Sequence, residues 1–169
     1  MVLQVGYKAF YRAAFPTEYT KQVETCAEMT GLPQSLLYAV IRTESGFCED
    51  AVSSADARGL MQLTPDTLSW IRYRIGETGA TSPELLFEPE ANIYYGARTL
   101  ALLMDEFGTA ETALAAYHAG RGNVKKWLGN DSYSTDGKAL YSIPFADTDS
   151  YVTKVLATEH MYKTVYDLP

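Results

Sequence analysis

Glu44 is the residue whose setting calls for a chemical explanation. It falls with Leu37, Val40 and Ile41 at the i, i+3, i+4, i+7 spacing that makes one face of a helix. A carboxyl group therefore sits in line with an apolar stripe. A carboxylate buried there without a partner is costly. Desolvation raises its pKa, and a carboxylic acid that keeps its proton near neutral pH is what a general acid requires. The competing reading is a glutamate at a helix end that bends into solvent or pairs with Arg42 or Arg58. Gln62 is the second residue of interest. Its amide, with a donor and an acceptor, lies between the apolar Met61 and Leu63. It could fix a hydroxyl or acetamido group of a ligand, or it could brace a loop. The nearby Glu49, Asp50 and Asp56 read as solvated.

Composition excludes several other chemistries. The two cysteines, Cys26 and Cys48, and the two histidines, His118 and His160, fit no zinc spacing. The cysteines read either as one disulfide or as two independent buried thiols. No metal or organic cofactor is implied. A net charge of −7 argues against nucleic acid and against anionic membrane surfaces, both of which call for clustered Lys and Arg. No stretch approaches the roughly 20 apolar residues of a membrane span. Met1 to Phe15 lacks the charged start and apolar run of a signal peptide. The 169 residues suit one domain, and the 47% hydrophobic content suffices for a core.

The elements that must position Glu44 and Gln62 read as helices nearly throughout. Tyr19, Val23, Cys26 and Ala27 share a first face that ends at Gly31, and Pro33 opens the next helix at its first turn. Gly46 stops the helix that carries Glu44. Cys48 to Gly59 reads as an ordered loop, and Thr64-Pro65 as an N-cap followed by a first-turn proline. Leu68, Ile71 and Ile75 mark a third helix, and a turn starts at Ser82-Pro83. A long helix runs from about Pro89, with Ile93, Ala97, Leu100, Met104 and Phe107 on one stripe. Gly108 closes it, Thr109 caps a short helix carrying Leu114 and Tyr117, and Val124 to Leu128 form another. The last helix starts near Thr148 and carries Tyr151, Val155, Tyr162 and Tyr166. No strand alternation is convincing. The expected class is all-α, with helices around one core.

The run ESGFCEDAVSSADARGLMQLTPDT, from Glu44, resembles the signature of the soluble lytic transglycosylases, whose catalytic domain is similar to goose-type lysozyme. Ala115-Ala116-Tyr117-His118-Ala119-Gly120, followed by Val124 and Trp127, is similar to the family's Ala-Tyr-Asn-Ala-Gly segment. Ile143-Pro144-Phe145-Ala146-Asp147-Thr148, followed by Tyr151-Val152 and Val155, is similar to its Ile-Pro-x-x-Glu-Thr-x-x-Tyr-Val pattern. The blocks stand in family order, and the resemblance runs from about Tyr19 to Tyr166 within a chain expected to be a single catalytic domain over 1–169.

The resemblance implies a lysozyme-like fold and cleavage of the β-1,4 bond between N-acetylmuramic acid and N-acetylglucosamine in peptidoglycan. It implies Glu44 as the catalytic acid/base, with Ser53, Gln62, Tyr117, Asp147 and Tyr151 lining the saccharide site. Ser53 reads equally as a turn cap, Tyr117 as a core tyrosine and Asp147 as the N-cap of the last helix. His118 stands in place of Asn, Asp147 in place of Glu, and Thr64 in place of Met. Peptidoglycan strands are the expected partner, and a monomer is expected. An extracytoplasmic setting follows from the substrate, with membrane anchoring only through segments outside this chain. Two other functions remain open on the same fold: a hydrolytic muramidase, which needs a second carboxylate, and a non-catalytic wall-binding module.

Overall fold

Glycine and proline punctuate the chain close to where the sequence predicts. The computed structural model describes residues 10–168. Helix α1 (Thr20–Thr30) ends at Gly31, whose φ of 74° closes the helix in the left-handed conformation. Helix α2 (Gln34–Glu44) follows at once; Pro33 sits just outside it as the N-cap and not within its first turn. Helix α3 (Pro65–Arg74) starts as expected, with the Thr64 side chain accepting the Thr67 N–H. A 3-10 turn (Pro83–Phe87), capped by Ser82, leads into the long α4 (Pro89–Phe107), which ends at Gly108. Thr109 caps α5 (Ala110–Ala119), and Gly120 separates it from α6 (Arg121–Leu128). Helix α7 (Ala146–Tyr166) begins two residues earlier than predicted.

Helix α2 is the centre of the molecule. Every residue from Ser35 to Ile41 is buried, so neighbours enclose it on all sides, as expected of a helix apolar around its circumference. It packs most extensively against α7. The main core gathers Leu37, Val40 and Ile41 with Ile93, Ala97 and Leu100 of α4, Leu114 of α5 and Val155 of α7. A smaller core of Leu63, Leu68, Ile71, Leu86 and Tyr95 lies under α3 and the 3-10 turn. Trp70, Tyr94 and Tyr117 pack against both. Several tyrosines serve packing: Tyr38 and Tyr162 are fully buried and stacked at 5.3 Å.

Among the described residues no strand forms. The loop after α2 contains isolated antiparallel bridges, Val52 with Arg58 and Arg58 with Leu63. No described helix is long and apolar enough to cross a membrane. The cysteines form no disulfide: Cys26 is buried, while Cys48 is exposed, which corrects the reading of two buried thiols. Cys48 follows the helix end at Gly46 and lies on the loop surface, outside the periodic pattern that buries Cys26.

Candidate active site

Glu44 is the last residue of α2. The helix stops there because Gly46 turns the chain at φ 59° and the Ser45 hydroxyl reaches across to the Leu60 carbonyl at 2.8 Å. That bond joins the end of α2 to the Gly59-Leu60-Met61-Gln62 turn. Burial pushes the Glu44 carboxyl up from 4.5 to about 7, and the Tyr151 hydroxyl and the Lys154 ammonium pull weakly the other way. The ion-pair reading does not hold. The Arg42 guanidinium lies over the Phe15 ring at 4.5 Å, and Arg58 pairs with Asp56 at 2.9 Å and Glu84 at 3.4 Å. Among the described residues Glu44 has no ion pair, and no second carboxylate contributes to its shift.

Two tyrosines close over the acid from different helices. Tyr117, near the end of α5, donates its hydroxyl to the Met61 carbonyl at 2.8 Å. Tyr151, in the second turn of α7, is buried, and its hydroxyl has no close hydrogen-bond partner. Burial and the neighbouring Glu44 carboxyl push both phenols well above their usual range. Glu44, Tyr117 and Tyr151 therefore form one cluster, brought together from sites 73 and 34 residues apart along the chain.

The other predicted residues are engaged in local structure in different ways. Gln62 holds a left-handed backbone, φ 48°, an uncommon conformation for a residue with a side chain. Its amide donates to the Ala51 carbonyl at 3.1 Å and the Gly59 carbonyl at 2.9 Å. Both donors are thus spent bracing the loop, and only the carbonyl oxygen is left for a ligand. Ser53 is exposed, and its Oγ accepts from the Ala55 and Ala57 N–H groups at 3.2 and 3.1 Å, a turn brace. Asp147 is exposed in the first turn of α7. It is not the N-cap, because Phe145 holds that position; the Asp147 carboxylate accepts only its neighbour's N–H, Thr148, at 2.9 Å. Of the family departures, Thr64 is turned into the α3 cap, with Thr67 Oγ1 2.9 Å away.

A hollow of about 270 Å³ lies beside Tyr117, lined by Thr67, Trp70, Thr99, Leu103, Ala116 and Arg121. A larger hollow of about 590 Å³, lined by Cys26, Met29, Leu85, Tyr94 and Tyr95 among others, shares no residue with the Glu44 cluster. Of the two, only the smaller one is lined by a residue of that cluster, Tyr117.

Sequence reasoning missed the residues that hold the turn in place. Asn92 of α4 is fully buried. It accepts the Met61 N–H at 2.7 Å and donates to the Arg58 and Leu86 carbonyls at 2.9 and 2.7 Å. Gly59, at φ 72°, has no room for a side chain: a Cβ there would meet the Leu86 carbonyl oxygen at 2.2 Å. Gly96 of α4 accepts the Met61 side chain, whose sulfur would lie 2.3 Å from a Cβ at that position. The signal was a row of non-aliphatic residues, Asn92, Gly96 and Thr99, along one side of an otherwise apolar helix.

Comparison with known proteins agrees with this geometry. The transglycosylase SLT domain model matches residues 22–140. The chain is 36% identical over 151 residues to the soluble lytic murein transglycosylase of Escherichia coli K12, covering 88% of this chain and 23% of that protein. It is 30% identical over 152 residues to the membrane-bound lytic murein transglycosylase C of Sodalis glossinidius, covering 85% and 41%. Among solved structures, an inactive mutant of lytic transglycosylase Slt from Pseudomonas aeruginosa superposes with a TM-score of 0.79 at 32% identity, over 94% of this chain and 26% of that one. The 70-kDa soluble lytic transglycosylase of Escherichia coli gives 0.79 at 31% identity, over 90% and 25%. The chain spans about a quarter of the length of these soluble relatives. A helical architecture built around a buried glutamate, motif blocks in family order, and a family match across most of the chain lead to one conclusion: the chain belongs to the transglycosylase SLT domain family.

Proposed function

We propose that this chain is the catalytic unit of a peptidoglycan lytic transglycosylase acting outside the cytoplasm, with Glu44 as its acid and base. The observation that carries the reading is a lone carboxyl held by burial at a pKa of about 7, with no second carboxylate influencing it. Most glycosidases use two carboxylates, about 5–9.5 Å apart, one of them to attack the sugar or activate water. A single acid that keeps a protonated fraction at neutral pH suits a reaction in which the substrate supplies its own nucleophile.

The steps balance on that basis. Glu44 gives its proton to the oxygen that links N-acetylmuramic acid to N-acetylglucosamine, and the bond from that oxygen to the anomeric carbon breaks. The neighbouring acetamido carbonyl supports the positive charge at that carbon. Glu44, now a carboxylate, takes the proton of the muramyl 6-hydroxyl as its oxygen bonds to the anomeric carbon. The acid is restored, no water is consumed, and the product ends in a 1,6-anhydro sugar. Gln62 offers its carbonyl oxygen to a hydroxyl or amide N–H of the glycan. Tyr117 and Trp70 line a hollow that offers a surface for a sugar ring. Ser53 and Asp147 are exposed, which leaves polar atoms of each available to a glycan strand.

The test is digestion of purified sacculi by the wild type and by Glu44→Gln, followed by mass spectrometry of the products. Anhydro ends from the wild type and none from the variant are expected. Reducing ends would assign the chain to hydrolysis, and unchanged cleavage by Glu44→Gln would remove the acid role.

A further inference from the structure

His118 is exposed at the end of α5 yet held by α7 from two sides. Its ring lies nearly parallel to that of Tyr151, with centroids 4.5 Å apart and planes 26° apart. Its Nδ1 is 3.1 Å from Oγ1 of Thr148, which is itself buried. Beneath the imidazole, the Tyr151 hydroxyl is buried and has no close partner. Buried polar groups are as a rule hydrogen-bonded, so one without a partner calls for an explanation. The group it faces is the Glu44 carboxyl.

A tyrosine side chain has two rotatable bonds before its ring, so fixing the ring plane fixes the hydroxyl. In the form that starts the reaction Glu44 carries its proton. Once that proton is on the glycosidic oxygen, a carboxylate stands in an apolar pocket with no cation paired to it. It then needs a donor already in position, since a preorganised donor does not have to reorient during the reaction.

We propose that His118 is a positioning residue: stacked on Tyr151 and tied to Thr148, it holds the Tyr151 hydroxyl ready to donate to the Glu44 carboxylate formed midway through the reaction. This rests on the acid role proposed for Glu44. It assigns to the histidine, which stands where the family pattern has asparagine, a task that needs a flat ring and a nitrogen together. The charged or titratable groups that bear on Glu44 are Tyr151, Tyr117 and Lys154. Of these, Tyr151 is the one stacked on the imidazole.

The test uses Tyr151→Phe, His118→Ala, His118→Phe and Thr148→Val, each checked for folding by circular dichroism. Steady-state rates on sacculi are followed across pH, alongside Glu44→Gln. Losing the donor in Tyr151→Phe is expected to lower kcat by about tenfold or more, the order of one hydrogen bond to a charged group. KM should stay nearly constant, and the high-pH limb should move upward because the carboxylate has lost its donor. His118→Ala and Thr148→Val should follow in the same direction with smaller effect, and His118→Phe, which keeps the stack but not the bond to Thr148, should recover part of the His118→Ala loss. The proposal is overturned if His118→Ala matches wild type in kcat and pH profile. It is equally overturned if His118→Ala changes KM alone, which would make the ring a substrate contact. Full activity in Glu44→Gln would instead overturn the acid role and this proposal with it.

Discussion

Glu44 keeps its proton because water is kept from it, and that has a thermodynamic signature separable from catalysis. The folded chain binds this proton more tightly than the unfolded chain, with a pKa of about 7 against 4.5. The stability linked to Glu44 is therefore fully present below about pH 4.5 and is lost as pH rises through about 7. Above that, the buried carboxylate costs about 3 kcal/mol. Glu44→Gln, neutral at every pH, should melt about 6–12 °C above wild type at pH 8.5, given a few degrees per kcal/mol in a chain of this size. The gap should close near pH 4.5, and melting curves at the two pH values check it. Equal Tm differences at both would mean that the carboxyl is hydrated. For the same reason, kcat/KM of the wild type should fall about tenfold per pH unit above the Glu44 pKa; a flat profile to pH 9 would contradict a protonated acid.

At the scale of elements, the turn after α2 is positioned by α4 more than by its own sequence. Asn92 satisfies an N–H and two carbonyls of the loop and the 3-10 turn at once. Asn92→Leu fills the space but leaves the Met61 N–H and the Leu86 carbonyl unpaired, while the Arg58 carbonyl keeps the Leu63 N–H, and each buried orphan costs about 1–3 kcal/mol. A loss of at least about 2 kcal/mol in chemical denaturation is expected, whereas Thr64→Ala, which removes only the α3 cap, should cost about 1 kcal/mol. This contrast also marks what could be read in the sequence. The caps and stops at Gly31, Thr64, Gly108 and Thr109 involve partners within a few residues, so they were legible. So was Glu44, because periodicity alone shows a carboxyl on an apolar face. The partners of Ser45 and Asn92 lie 15 and 31 residues away, at Leu60 and Met61, and no local pattern announces a contact of that range. Ser53 and Gln62 were legible as polar loop residues, but their turn-bracing geometry, which limits what they can offer a ligand, depends on how the loop folds back.

At the scale of the whole molecule, charge sets the approach to substrate. The chain carries −7, and the peptidoglycan strands proposed as its substrate bear stem-peptide carboxylates, so on that reading the two bodies repel at long range. The screening length shrinks from about 30 Å at 0.01 M salt to about 8 Å at 0.15 M. KM on sacculi should therefore fall by about twofold or more over that interval, while kcat changes little. A KM that rises with salt would point to a local cationic contact outweighing the net charge.

The seat of Met61 against Gly96 makes the long helix a lever on the chemistry. One residue receives the Tyr117 hydroxyl on its carbonyl, gives its N–H to Asn92 and lodges its sulfur over a bare α-carbon. An added methyl at Gly96 displaces Met61, Met61 carries the carbonyl that anchors Tyr117, and Tyr117 leans on the acid. A change at position 96 is therefore transmitted through Met61 and Tyr117 to the surroundings of Glu44. Gly96→Ala should thus lower kcat as well as stability, and suppressors of it should appear at position 61.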